Sequence, residues 1–207
     1  MAPFDLFSIG HSNIPADRLI AMLRDAGANA VADVRSIPAS RFCPWFSAKN
    51  LVPLLSRAGM TYLPYGKELG GRPRDQTLYR DGTADYEAMA RRPEFRAGLD
   101  RLSADAVGFR LCLMCAEREP LDCHRCLLVA RALAERGSSV GHILHGGAIE
   151  PHAATERRLL ALTEASGDDA DLFVTGQSQR LAAAYRRRAR AVAFRAKPSS
   201  TGANRGA

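Results

Sequence analysis

Short apolar runs alternate along most of the chain with segments whose hydrophobic residues recur every three to four positions. Phe4–Ile9, Ala30–Val34, Met60–Leu63, Phe109–Met114 and Val140–Leu144 have the length and composition of strands. Between them, Pro15–Ala26, Lys49–Ala58, Tyr86–Leu102 (interrupted at Pro93), Cys123–Arg136 and His152–Ala165 carry helical spacing, with Gly59 and Gly137 as stop signals. A last helix is predicted over residues 177–195, and the end from Pro198 to Ala207 has a disordered composition. The alternation predicts an α/β fold, a Rossmann-like three-layer sandwich whose mostly parallel sheet has about five strands. Cys126–Ala134 is apolar nearly all round, as helices packed between layers are.

Composition narrows the picture. At 207 residues, with 46% hydrophobic and 25% charged, the chain is an ordinary folded protein rather than a disordered, collagen-like or disulfide-scaffold one. Of its 29 Lys and Arg, eight fall in residues 172–207, which hold none of the 22 Asp and Glu. The net charge of +7 therefore belongs to the end of the chain. The expected organisation is one α/β domain over 1–171 and a basic C-terminal helix and tail over 172–207. Such a block can hold nucleic acid, or simply be a solvated helix. No apolar run approaches a membrane span, and the first residues lack the basic start of a leader, so a cytoplasmic protein with no membrane partner is expected.

Ligands of open parallel sheets bind beyond the carboxyl ends of the strands, and there the polar residues gather. Strand one leads into His11-Ser12-Asn13, strand two into Asp33-Val34-Arg35, strand three into Gly70-Gly71-Arg72, and strand four into Cys115-Ala116-Glu117 and Cys123-His124-Arg125; strand five carries His142. Asp122 is expected to cap the following helix, placing Cys123 at its first position, where unpaired N–H groups favour a thiolate. Cys123 is then a nucleophile, a thiol lining an anion pocket, or a packed thiol. Glu117, His11 and His124 are candidate proton carriers. Arg35, Arg41 and Arg125 are candidate anion ligands, with Ser12, Asn13, Gly70, Gly71, Arg72, Cys115 and His142 around them. Trp45 and Phe46 could stack a base, though such a pair more often covers core.

Cys112-x2-Cys115 and Cys123-x2-Cys126 have the spacing of zinc ligands, but residues 112 and 115 of one strand point to opposite faces, and CLMC lacks knuckle turn residues. No metal or other cofactor is predicted, and structural disulfides are disfavoured in a cytoplasmic setting. Cys115 and Cys123, across one loop, remain a possible redox pair.

Taken together, Ile9-Gly10-His11-Ser12-Asn13, Asp33-Val34-Arg35-Ser36-Ile37-Pro38-Ala39-Ser40-Arg41, Leu69-Gly70-Gly71-Arg72, Cys115-Ala116-Glu117 with Pro120 and Cys123-His124-Arg125, and His142-Ile143 resemble the bacterial and archaeal family catalogued as domain of unknown function 488. The resemblance spans roughly residues 6–152 and implies an α/β fold and a shared site comprising Cys115, Glu117, Cys123, His124 and Arg125. It implies no established activity beyond a loose link to nucleic-acid metabolism. Cys112, Cys126 and the basic C-terminal block fall outside the matching motifs. The expected function is an enzyme, a transferase or a hydrolase, acting on a phosphorylated small molecule or nucleotide. The alternative is a non-catalytic nucleic-acid-binding module that uses residues 172–207.

Overall fold

A computed structural model of the chain describes residues 4–165 and 176–196. Among them, five parallel strands form the body of the sheet: β1 (Leu6–Gly10), β2 (Ala30–Asp33), β3 (Thr61–Pro64), β6 (Leu111–Cys115) and β7 (Val140–Ile143). A sixth, β8 (Ile149–Pro151), pairs antiparallel with β7 and closes that edge, giving the order β3-β2-β6-β1-β7-β8. A two-residue pair, β4 (Tyr79–Arg80) and β5 (Thr83–Ala84), forms a separate hairpin. The sixth strand has no period-two pattern in the sequence; Ile149 and Pro151 are exposed, and β7 supplies the pairing.

Helices cover both faces. On one side, α1 (Ala16–Asp25) buries Leu19, Ile20, Met22 and Leu23, and α2 (Ala48–Arg57) buries Leu51 and Leu55. These pack on Phe7, Ile9, Val31, Cys112 and Met114. The other side is covered by α3 (Gly66–Leu69), α4 (Tyr86–Ala90), α5 (Pro93–Gly108), α6 (Arg131–Glu135), α7 (His152–Ala165) and α8 (Gln177–Val192). Pro93 divides α4 from α5 because the residue before a proline is pushed out of the helical region; Arg92 is extended there, at ψ 137°. The alternation of β6 is as its sequence predicts: Cys112 faces α1 and α2, and Cys115 the opposite layer.

The segment after β6 departs from a plain helix. A short 3₁₀ turn, Pro120–Asp122, is followed by six residues of π-helix, Arg125–Ala130, before α6. Asp122 does not cap it. Cys123 is the extended residue at the start, φ −137° and ψ 139°, and its own sulfur accepts the Arg125 backbone N–H at 3.4 Å. Asp122 instead takes the Arg188 guanidinium of α8. The helix over 177–192 thus lies against the body: Ala183, Ala184, Tyr185 and Ala189 are buried, and Arg180 and Arg186 pair with Glu164 and Glu87. The expected tail from Pro198 onward lies outside the described residues, as do Phe173, Lys197 and Arg205. No helix among the described residues is long and apolar enough to cross a membrane.

Candidate active site

The crossover after β1 leaves on the face of α1, and the one after β6 on the face of the π-helix. Neighbouring strands whose connections diverge in this way open a crevice at their carboxyl ends. A cavity of about 360 Å³ occupies it, with His11, Arg35, Arg72, Cys115, Glu117 and His124 among its walls. Phe194, just past α8, forms the far side, and the Arg72 guanidinium lies 4.8 Å from its ring. A second cavity of about 550 Å³ adjoins the first, sharing Arg35, Ser36 and Arg72 and adding Gly70 to its lining.

Close packing explains the glycines of two motifs. A Cβ on Gly10 would lie 1.8 Å from the Glu117 carbonyl oxygen, so only glycine lets the loop after β6 rest against the end of β1. A Cβ on Gly71 would meet the His124 ring at 2.6 Å. Together the two contacts seat the Cys115–Arg125 loop between β1 and the segment after α3.

At the centre, one carboxylate oxygen of Glu117, Oε2, lies 2.8 Å from the Cys115 sulfur and 3.0 Å from the Cys123 sulfur. His124 gives its Nε2–H to the Val34 carbonyl at 2.9 Å, which turns Nδ1 toward both sulfurs, at 3.7 and 3.9 Å. The Sγ, carboxylate and ring-nitrogen donors of Cys115, Glu117, Cys123 and His124 all lie within 4.8 Å of one another. Arg125 is wholly buried. Its Nη atoms donate to the carbonyls of Glu117 (2.6 Å) and Arg118 (3.2 Å); among the described residues its Nε has no partner and no carboxylate is within ion-pair reach.

These groups polarise one another. Burial opposes ionisation of Cys123, but the Cys115 thiol, Arg125 and His124 outweigh it and hold Cys123 well below the usual thiol range. Burial, reinforced by Cys123, pushes Cys115 well above that range and raises the Glu117 carboxyl. His124 is raised because Cys123 overcomes its desolvation. The buried Arg125 cation favours negative charge on this cluster, and its proximity is among the causes that lower Cys123.

His11 belongs to a second, neutral arrangement. Its Nδ1–H donates to the Ser12 carbonyl at 2.8 Å, its Nε2 receives Arg35 Nη1 at 3.2 Å, and Phe46 stacks on the ring at 4.3 Å. Burial above all lowers its pKa to about 4, so at neutral pH the ring is neutral and its Nε2 lone pair orients Arg35. Arg35 is also clasped by both Asp33 oxygens, at 2.8 and 2.5 Å. Asp33 is a site residue the sequence names only as part of a motif; its signal is an acid two positions before Arg35 at a strand end.

Other candidates are placed elsewhere. Arg41 and Asn13 are exposed, and neither they nor Ser12 line the cavity. Cys123 is 1% exposed and lies behind Glu117 rather than on the wall. His142 is wholly buried and bonds to Ser8 (2.6 Å) and His152 (2.9 Å), beside Cys126 at 3.8 Å. Cys126, His142 and His152 are a second group of convergent metal-ligating side chains, enclosed in the core. Phe46 is core, and Trp45, 40% exposed, donates its ring N–H to the Ile14 carbonyl. Val192 and Phe194 had no functional signal in the sequence, and the fold brings them to the cavity by docking α8.

The family model described as domain of unknown function DUF488 matches residues 15–132, more than half of the chain. The chain belongs to the DUF488 family. The matched span runs from α1 into α6 and contains Arg35, Arg72, Cys115, Glu117 and the Cys123–Arg125 turn, whereas β1 with Gly10 and His11, the strands β7 and β8, and the α8 wall of the cavity lie outside it. Arg35, Arg72, Cys115, Glu117 and His124 of the matched span thus line one crevice, which Val192 and Phe194 at the end of the C-terminal helix complete. No curated protein and no solved structure matches the chain.

Proposed function

We propose that this protein is an enzyme acting on a phosphorylated, nucleotide-like substrate held in the cavity at the carboxyl edge of the sheet. The observation that carries this is the Glu117 carboxyl, set against two thiols on the wall of an arginine-bearing cavity. A carboxyl in that setting is suited to move a proton to or from a bound substrate. Arg72 and Arg35 supply cations for a phosphate, and Phe194 and Tyr86 offer planar faces for a ring. A volume of about 360 Å³ suits a ligand of nucleotide scale. Cys123, behind the carboxyl and beside Arg125, acts in this scheme as the charge partner of Glu117 rather than as an exposed nucleophile.

The test is calorimetric binding of a panel of nucleosides, nucleotides and sugar phosphates to the full chain, followed by mass spectrometry of each incubated ligand. A ligand that binds wild type, binds Glu117→Gln with similar affinity, and is converted by wild type at least ~100-fold faster than by that variant supports the assignment. Failure of every phosphorylated compound to bind, or binding that Arg72→Ala leaves unchanged, overturns it.

A further inference from the structure

Two thiols and an imidazole converge beside the proton-moving carboxyl at the edge of the cavity. We infer that Cys115, Cys123 and His124 are a binding site for a zinc-like transition-metal ion, with Glu117 as the carboxylate next to that ion. This deepens the function proposed above and rests on its assignment of Glu117.

Several independent observations support a donor set rather than a chance cluster. First, the imidazole is fixed in one tautomer. His124 spends its Nε2–H on the Val34 carbonyl at 2.9 Å, leaving the Nδ1 lone pair facing the sulfurs, as in metal-binding histidines held by an outer partner. Second, the spacing fits. Donors at zinc–sulfur and zinc–nitrogen bond lengths lie about 3.6 Å apart on a tetrahedral ion. The His124 Nδ1 to sulfur separations are 3.7 and 3.9 Å, and the two sulfurs are within 4.8 Å of each other. The Glu117 oxygen, at 2.8 and 3.0 Å from the same sulfurs, is closer than two donors sharing an ion stand, and so fits as the neighbour of the ion better than as its fourth ligand.

Third, charge is balanced. Two thiolates cancel a divalent ion, and an ionised Glu117 is then matched by Arg125, a wholly buried cation that among the described residues has no carboxylate partner and one unbonded nitrogen. The Arg125 backbone N–H on the Cys123 sulfur stabilises thiolate as well. Finally, the ligand types select the ion, because thiolate and imidazole favour zinc over magnesium or calcium. Three protein donors, an open side toward a cavity and an adjacent carboxylate form the arrangement of hydrolytic zinc sites. In such sites, nucleobase deaminases among them, the ion activates water and a glutamate that is not a ligand moves the proton. The proposed chemistry is accordingly hydrolytic.

The sequence conceals this site because its two Cys-x2-Cys spacings pair the wrong partners. Cys112 lies on the opposite face of the sheet, and Cys126 stands with His142 and His152. The donors are the first thiol of Cys-x-Glu and the Cys-His pair beyond Pro120.

The test uses the full chain, purified without chelator or affinity metal, with metal content measured by mass spectrometry and cobalt(II) titrated into the demetallated protein. The expected results are stoichiometric zinc, a thiolate-to-cobalt charge-transfer band, and protection of Cys115 and Cys123 from alkylation by zinc. Cys115→Ser and Cys123→Ser should each weaken zinc binding at least ~100-fold. Cys112→Ser and Glu117→Gln should retain it. Absence of both the band and zinc-dependent protection in wild type overturns the site whether or not the variants fold, as does a band that survives both serine replacements. If zinc fails to bind while Glu117→Gln still abolishes turnover of a nucleotide, the metal inference falls and the enzyme assignment stands. If zinc binds and no phosphorylated ligand does, the reverse holds.

Discussion

His124 and Val34, ninety positions apart in the chain, are joined by a hydrogen bond of 2.9 Å from the imidazole Nε2–H to the backbone carbonyl. It ties the end of β2 to the turn after β6 and decides which ring nitrogen faces the thiols. Replacing His124 by Ala leaves a buried carbonyl without its donor, a loss of about 1–3 kcal/mol before any cavity cost. His124→Gln, whose amide can reach the same carbonyl, is expected to recover part of that stability while still lacking the Nδ1 donor. Urea denaturation of the two variants against wild type checks this; equal midpoints for His124→Ala and wild type would remove the bond from the stability of the fold.

Arg125 makes a sharper prediction. Among the described residues it is the largest fully buried side chain, and its guanidinium donates to two loop carbonyls, those of Glu117 and Arg118. Arg125→Ala strands those carbonyls and leaves a cavity, and is expected to cost about 3–5 kcal/mol, in the range of breaking a buried charged pair. Arg125→Met keeps most of the volume and is expected to cost less than Ala. Thermal and chemical unfolding of the pair separates lost packing from lost hydrogen bonding, and equal losses would assign the whole effect to the hydrogen bonds.

Gly10 is constrained by contact rather than by backbone angle. A methyl group there would sit 1.8 Å from the Glu117 carbonyl oxygen and 3.0 Å from Arg125 Nη1. Gly10→Ala must therefore push the loop away from β1, with an expected cost of at least about 1–3 kcal/mol and loss of ligand binding in the cavity. Gly137, at φ 90° with open space around it, is the control: Gly137→Ala is expected to show backbone strain alone, with binding intact. Ligand calorimetry on both variants distinguishes the two kinds of glycine.

The layers of this fold were legible because they are periodic. Every strand of the parallel sheet and each long helix stands in the sequence as an apolar run or a helical face, with Pro93 and the closing glycines near the breaks. The edge strand β8 was not legible, since its three residues acquire strand geometry only from pairing with β7. Nor was the start of the Cys123 helix. Asp122 has the composition of a cap, yet Arg188 from α8 claims its carboxylate and Cys123 takes the capping position. The Cys115, Glu117, Cys123, His124 and Arg125 motifs were visible as a set, but which thiols meet is a property of one loop and a π-helix, and spacing alone pairs them differently. His142 shares the sheet face of those motifs but lies on β7, where it meets Ser8, Cys126 and His152 instead of the thiols of the cavity.

That placement of His142 leads to a pH dependence. A buried chain of donors and acceptors runs from Ser8 through His142 and His152 to Tyr185 and Glu156, with separations of 2.6, 2.9, 3.0 and 3.0 Å. One assignment satisfies every atom: Ser8 O–H donates to His142 Nδ1, His142 Nε2–H to His152 Nδ1, His152 Nε2–H to the Tyr185 oxygen, and Tyr185 O–H to Glu156. Both imidazoles are neutral in it, with both nitrogens of each ring engaged, so a proton added to either forces the donors and acceptors of the chain to be reassigned. Burial, reinforced by its neighbour His152 and by Arg125 and Arg158, holds His142 well below the ordinary histidine range. Burial also lowers His152, against the pull of Glu156 and Glu135. Groups whose pKa is lower folded than unfolded contribute stability that is complete above the unfolded value of about 6.5 and is lost as pH falls below it. The midpoint of urea unfolding is therefore expected to fall from pH 7.5 to 5.5, where carboxylates contribute little to the slope. In His142→Gln/His152→Gln the protein should be less stable at pH 7.5 and the decline across that window shallower. A slope unchanged in the double variant would show that the pair is not neutral in the folded protein.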